Sequence, residues 1–333
     1  MVKIKTHRFE NTQWGRAHLP FFKKFDEYLS KYFDVESVNY NKDGQTFSGQ
    51  IKLINPTGNF GNHPPLSDVD CVIENTETGE TKAISFTEYF NSYICHVSKS
   101  NSCTKTLLAH FNWQNVYYWM KRENAISSLH KIKPWIFLPF QEFDVEYYRE
   151  KRSLITNFEK KMIWLGSGVD DYRKMIKIVE TRGFLQPIST TSHEEYLNKL
   201  INSKIGLSYY TNLSRYNTPY DYPGEFCYRD IEYTLLGIPY IRIEFKDTTH
   251  NPLIPNHHYI SIPREHAYVA YEKYGDEGVA DLYIKRYNEV INDSEYLNYI
   301  SENQIKWSDE NLMYENKEKL TFNLLELDKW INK

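Results

Sequence analysis

Short apolar runs closed by glycine or proline, each separated from the next by stretches with helical spacing, constrain the fold of this chain most. "KMIWLG", "KIGLSYY" and "IPYIRIEF" are such runs, and "DDYRKMIKIVETRG", "SHEEYLNKLINS" and "YRDIEYTLLG" lie between them. A strand with one wet face alternates apolar and polar residues, whereas a run that is apolar throughout suits a parallel strand covered by helices on both faces. The first half repeats the alternation. "VKIKTHRF" reads as a strand, "LPFFKKFDEYLSKYF" as a helix with Leu19, Phe22, Phe25, Leu29 and Phe33 at helical spacing, and "VESVNY", "CVIEN", "KTLLAHF" and "KPWIFLPF" as further strands. Residues 41–79 are rich in glycine and proline and read as two strands joined by a long loop, a kind of segment that often carries function. The expected class is α/β.

A length of 333 residues is about twice that of a common single domain, so two domains are expected. The charged stretch "QEFDVEYYREKRSLITNFEKK" marks the junction. The expected organisation is a first domain over 1–150, a second over 151–305 and a helical segment over 306–333, where Ser308 or Asp309 is expected to cap a helix. The formal net charge of −4 argues against nucleic acid held by the overall field. The 28 tyrosines suit ligand-facing surfaces, although Asn, Lys, Ile and Tyr rising together also follow from an AT-biased genome. Cys71, Cys95, Cys103 and Cys227 show no CxxC spacing, and the N-terminus has no apolar leader-like core. No apolar run is long enough to span a membrane, so a soluble protein of the reducing cytoplasm is expected.

Two stretches point to chemistry. In "WLGSGVDDYRKM" an apolar run passes through Gly166, Ser167 and Gly168 into a helix; small residues at such a turn let backbone approach a phosphate at a helix N-terminus. Neither a full GxGxxG nor a P-loop is present, and a plain tight turn explains the stretch equally well. In "GEFCYRDIEYTLLGIPYIRIEF" a helix begins after Gly224 and ends at Gly237 and Pro239, which sets Arg229 and Glu232 one turn apart on one face. They either pair on a solvated surface or serve a ligand: an Arg fork suits a diphosphate, and a carboxylate can accept both hydroxyls of a ribose. Ser208 and Tyr209 end a strand at the same expected sheet edge, and Arg152, Arg173, His257 and His258 are further polar residues for a cleft. No HExxH motif or Cys/His quartet argues for zinc.

From Lys161 to Pro263 the order of these features resembles the donor half of GT-B glycosyltransferases. The R-x-x-E helix is similar to that of phage DNA glucosyltransferases, and "PLIPNHHYISIP" resembles the segment after the corresponding strand in protein O-glucosyltransferase-like and exostosin-like members. The resemblance implies two Rossmann-like domains facing a cleft, the first for the acceptor and the second for the donor. It also implies that a last helix, here "KLTFNLLELDKWI", crosses back to the first domain. Tyr228, Arg229, Asp230 and Glu232, with Gly166, Ser167, Gly168, Arg173, Ser208 and Tyr209, would then hold a UDP- or GDP-sugar without an obligatory metal. His18 would be the base that deprotonates the acceptor hydroxyl, with Asp70 or Asp68 as an alternative base or its orienting carboxylate. The implied activity is sugar transfer to a hydroxyl of a glycan or small acceptor; the charge balance disfavours duplex DNA, while the phage resemblance leaves modified DNA bases open. Two alternatives stand beside it. Asp68-Val69-Asp70 spells the D-x-D of metal-dependent GT-A transferases, although here it precedes an apolar strand, and a non-catalytic carbohydrate-binding protein could share the scaffold.

Overall fold

The computed structural model describes residues 1–8, 13–39, 69–85, 102–109, 126–135, 145–156, 159–164, 174–186, 193–209, 228–244 and 250–331. The chain divides into two compact units. Met1–Asp144, Thr248–His250 and Asn311–Lys333 make the first; Val145–Asp247 and Asn251–Glu310 make the second.

The first unit is α/β with a six-stranded mixed sheet of order β2-β1-β3-β4-β5-β6, built from β1 (Lys3–Arg8), β2 (Asp34–Asn39), β3 (Val69–Asn75), β4 (Thr81–Ser85), β5 (Cys103–Ala109) and β6 (Ile132–Trp135). β3 runs antiparallel to both β1 and β4, whereas the β1–β2, β4–β5 and β5–β6 pairs are parallel. The reversal comes from a tight hairpin. Asn75 Oδ1 accepts the backbone N–H groups of Glu77 and Thr78 at 3.0 and 3.1 Å, and Gly79 supplies a φ of 71°. Helix α1 (Gln13–Leu29) follows β1 and buries Phe21, Phe22, Phe25 and Leu29, with Phe33 beyond its end.

The C-terminal segment adds to this core. Phe322 of the helix Tyr314–Leu324 packs its ring against Tyr28, Tyr32 and Phe33. Trp330 is 1% exposed and carries the Lys82 ammonium 5.3 Å above its ring, while Lys105 and Glu326 pair at 2.7 Å. Ring burial and a cation over an indole face are both attractive, so the segment is held by packing as well as charge.

Among the described residues of the second unit every strand pairing and isolated bridge is parallel. β7 (Gly206–Ser208), β8 (Tyr240–Ile243) and β9 (Ile260–Ile262) form a sheet in that order. Single parallel bridges extend it: Ile163 to Gly206, and Met162 to Leu185. Ile163 N–H donates to Ile205 at 3.0 Å and its carbonyl accepts Leu207 N–H at 2.8 Å, while Met162 N–H reaches Phe184 at 3.0 Å. In chain order the extended segments therefore lie second, first, third, fourth, fifth, the order of a doubly wound sheet whose direction of winding switches beside the first segment.

Helices cover both faces, as the unalternated runs require. Ile205, Leu207, Ile241, Ile243, Ile260 and Ile262 form one apolar layer with residues of α3 (Lys174–Thr181) and α6 (Arg264–Val290), the latter kinked at Gly275. On the other face lies α5 (Tyr228–Leu236), between α2 (Val145–Lys151) and α4 (His193–Ile201), from each of which a side chain reaches it. Its Tyr233 ring crosses Gly206 so closely that a β-carbon there would sit 2.7 Å from the ring, and the Tyr233 hydroxyl donates to the Ile163 carbonyl at 2.8 Å. Glycine in β7 is thus what lets α5 lie down on the sheet.

Candidate functional site

A doubly wound sheet binds ligands outside the carboxyl ends of its strands, at the switch point. In the second unit that point is the end of the first extended segment, occupied by Trp164, which is 1% exposed. Arg229, in the first turn of α5, places its guanidinium carbon 4.6 Å from the centroid of the Trp164 ring and is half-buried. The helix begins where a chain returning from β7 must begin, so sheet order and helix start together bring Arg229 to the switch point.

Glu232 lies one turn on and is 4% exposed. Where the sequence suggests two ribose hydroxyls, the structure supplies two phenols: the Tyr148 hydroxyl of α2 donates to Oε1 at 2.8 Å, and the Tyr196 hydroxyl of α4 donates to Oε2. Burial raises the Glu232 pKa, opposed by the two phenol hydrogen bonds and the Arg229 charge. Burial and the carboxylate also push both phenols well above their ordinary range, so they remain donors.

Asp230 is fully buried and ion-paired with Arg242 of β8, a relationship that joins α5 to the sheet. Consecutive helical residues diverge by about 100°, so Arg229 and Asp230 cannot share a face. Ser208 is buried; its carbonyl accepts the Tyr283 hydroxyl at 2.8 Å. Tyr209 is 7% exposed with its ring 6.1 Å from that of Tyr283, and burial raises its pKa. Both end the third segment beside the switch point. Tyr228 opens α5, and its side chain lies outside the described residues, as do Gly166, Ser167, Gly168 and Arg173.

Arg152 has a structural occupation. It donates through Nη1 to Asp309 and through Nη2 to Ser308, each at 2.7 Å, and through Nε to the Leu235 carbonyl. This corrects the expectation that Ser308 or Asp309 caps a helix: both fall in the last turns of α7 (Ser294–Asn311), where their side chains accept from Arg152. His258 Nδ1 accepts the Ile254 N–H at 2.8 Å, and His257 Nδ1 meets the Tyr299 hydroxyl at 2.6 Å. They shape the turn before β9.

In the first unit Asp70 is the second residue of β3. The register pairs Val69 with Ser85 and Cys71 with Arg8, so the backbone of Asp70 stands at the carboxyl ends of β1 and β4. His18 lies in the second turn of α1, the helix that follows β1. Their side chains, and all of Asp68, fall outside the described residues. Among the described residues no group of three or more His, Cys, Asp or Glu could hold a metal ion, and no helix is long and apolar enough to cross a membrane.

Sequence reasoning did not find Trp164, Tyr148 or Tyr196. Trp164 reads as one more apolar strand residue, and Tyr148 hides in the charged junction. The available signal is the demand of a buried carboxylate for donors, which names a need without naming its suppliers. No protein-family model matches the chain, and no curated protein matches it.

Proposed function

We propose that the protein is a GT-B-type glycosyltransferase that moves a sugar from a nucleotide diphosphate donor, UDP- or GDP-linked, to a hydroxyl of a glycan or other small acceptor. The observation that carries this reading is Arg229 stacked on Trp164 at the switch point of a doubly wound parallel sheet. A guanidinium at the start of a helix is suited to a diphosphate, and charge on the leaving diphosphate grows as the glycosidic bond breaks. A donor fixed in place before the reaction stabilises that charge without reorganising, which is how preorganised sites lower barriers. Gly166 to Gly168, beyond Trp164 in sequence, and Ser208 and Tyr209 are assigned to the same donor. In an inverting transfer His18 or Asp70 of the first unit serves as the base; a retaining transfer needs none.

The test is a thermal-shift panel of UDP, GDP and TDP, each with and without manganese. A ligand at one hundred times its Kd stabilises by about 2.7 kcal/mol, a readily measured shift. Stabilisation by one nucleotide without metal is the expected result. A shift that requires manganese would favour the metal-dependent reading through Asp68 and Asp70, and no shift with any nucleotide would leave the carbohydrate-binding scaffold as the better description.

A further inference from the structure

We propose that Trp164 is a positioning residue for Arg229, and that Glu232, held by Tyr148 and Tyr196, fixes the same helical turn rather than gripping the sugar ring of a nucleotide. This deepens the donor-site reading and rests on it. An arginine free in solvent must surrender rotamer freedom when it binds an anion, and fixing it beforehand removes that cost from binding. Trp164 supplies the fixing surface. It is 1% exposed, and the N–H and carbonyl of the preceding Ile163 are both bonded to the β7 segment, at Ile205 (3.0 Å) and Leu207 (2.8 Å), so the backbone that carries the indole is fixed and the ring is buried. A cation within about 6 Å of an indole centroid is attracted to it, and Arg229 stands at 4.6 Å. The five N–H donors of a guanidinium spread around its plane, so an arginine held over an indole still has donors to offer a phosphate.

Glu232 completes the arrangement. Three helices meet at its carboxylate, because α2 and α4 each send one phenol to an oxygen and α5 carries the carboxylate itself. Tyr148 and Tyr196 act on it through hydrogen bonds and Arg229 through its charge, and the Tyr147 ring lies 6.3 Å from that of Tyr148. A carboxylate so enclosed sets the rotation of α5, and hence the direction from which Arg229 leaves it.

Calorimetric titration of UDP and of inorganic pyrophosphate into the full chain tests this. Trp164→Leu is expected to weaken both probes about tenfold, and Trp164→Phe, which keeps an aromatic face, to recover all but about threefold of that. Should Trp164→Leu not fold, Trp164→Phe at unchanged Tm carries the test through its smaller loss. Wild-type affinity in both Trp164 variants would overturn the positioning role while leaving the donor site standing. A preference for UDP over 2′-deoxy-UDP that disappears in Glu232→Gln would restore the carboxylate to the ribose and overturn its assignment here. Wild-type protein that binds neither probe would overturn the donor-site reading and this inference together.

Discussion

The hydroxyl of Tyr148 donates to Oε1 of Glu232 at 2.8 Å across 84 residues of sequence. With Tyr196 on the other oxygen, a carboxylate that a helical pattern would leave on a ligand-facing surface becomes an interior junction. Its stability signature follows from linkage. Burial raises the folded pKa of Glu232 above the unfolded value of about 4.3. A group raised in this way contributes stability that is complete below the unfolded pKa and is lost as pH rises through the folded one. Glu232→Gln does not titrate, so it is expected to be less stable than wild type at pH 4, with the gap narrowing toward pH 7. Urea midpoints across that range check it; a constant gap would mean that Glu232 titrates alike in both states.

His258 should give the opposite slope. Its Nδ1 accepts the Ile254 N–H, and burial beside His257 holds its pKa down to about 4. A depressed histidine contributes stability that is present above the unfolded pKa of about 6.5 and disappears as pH falls through the folded value, at most about 3 kcal/mol here. His258→Asn is expected to flatten the stability profile between those two values by about one proton, as read from denaturant midpoints taken every half unit of pH.

Gly237 ends α5 with a φ of 71°, and an added β-carbon would stand 2.7 Å from the Ile305 side chain. Both the left-handed backbone and the close approach oppose a side chain. Gly237→Ala is expected to destabilise by about 1–3 kcal/mol, detected as a lower urea midpoint with an unchanged m-value.

Arg152 joins the end of α5 to α7 through the Leu235 carbonyl, Ser308 and Asp309. Removing it leaves those acceptors short of a donor. Arg152→Met is expected to lower stability by about 1–3 kcal/mol without changing the affinity for any nucleotide that binds. A loss of affinity at preserved stability would instead return Arg152 to the site.

Arg229→Ala is expected to abolish nucleotide stabilisation while leaving the far-ultraviolet circular dichroism and the ligand-free Tm within a degree or two of wild type, since a half-buried side chain anchors little of the core. Unchanged nucleotide binding would remove α5 from the site.

Much of the second unit is legible in the chain. "KIGLSYY" and "IPYIRIEF" contain β7 and β8, and Gly237 closes α5 where a glycine stop was expected, because these features depend on local spacing and on the steric freedom of one residue. The hairpin that reverses β3 is legible in principle, since "NTETGE" holds an Asn followed four residues later by a Gly. The direction of β3 within the sheet is not, because it depends on which neighbours it finds.

The candidate site divides the same way. By itself the sequence determined that Arg229 and Glu232 share a helix ahead of a buried strand, since a period of about 3.6 residues admits no other arrangement. Only the tertiary structure decided that Arg229 stacks on Trp164, 4.6 Å away, and that Glu232 is enclosed by Tyr148 and Tyr196. Those partners arrive from other segments of the chain, brought together by the order in which parallel strands pair. Strand order is fixed by the packing of whole layers, so no local pattern around Glu232 records which hydroxyls will reach it.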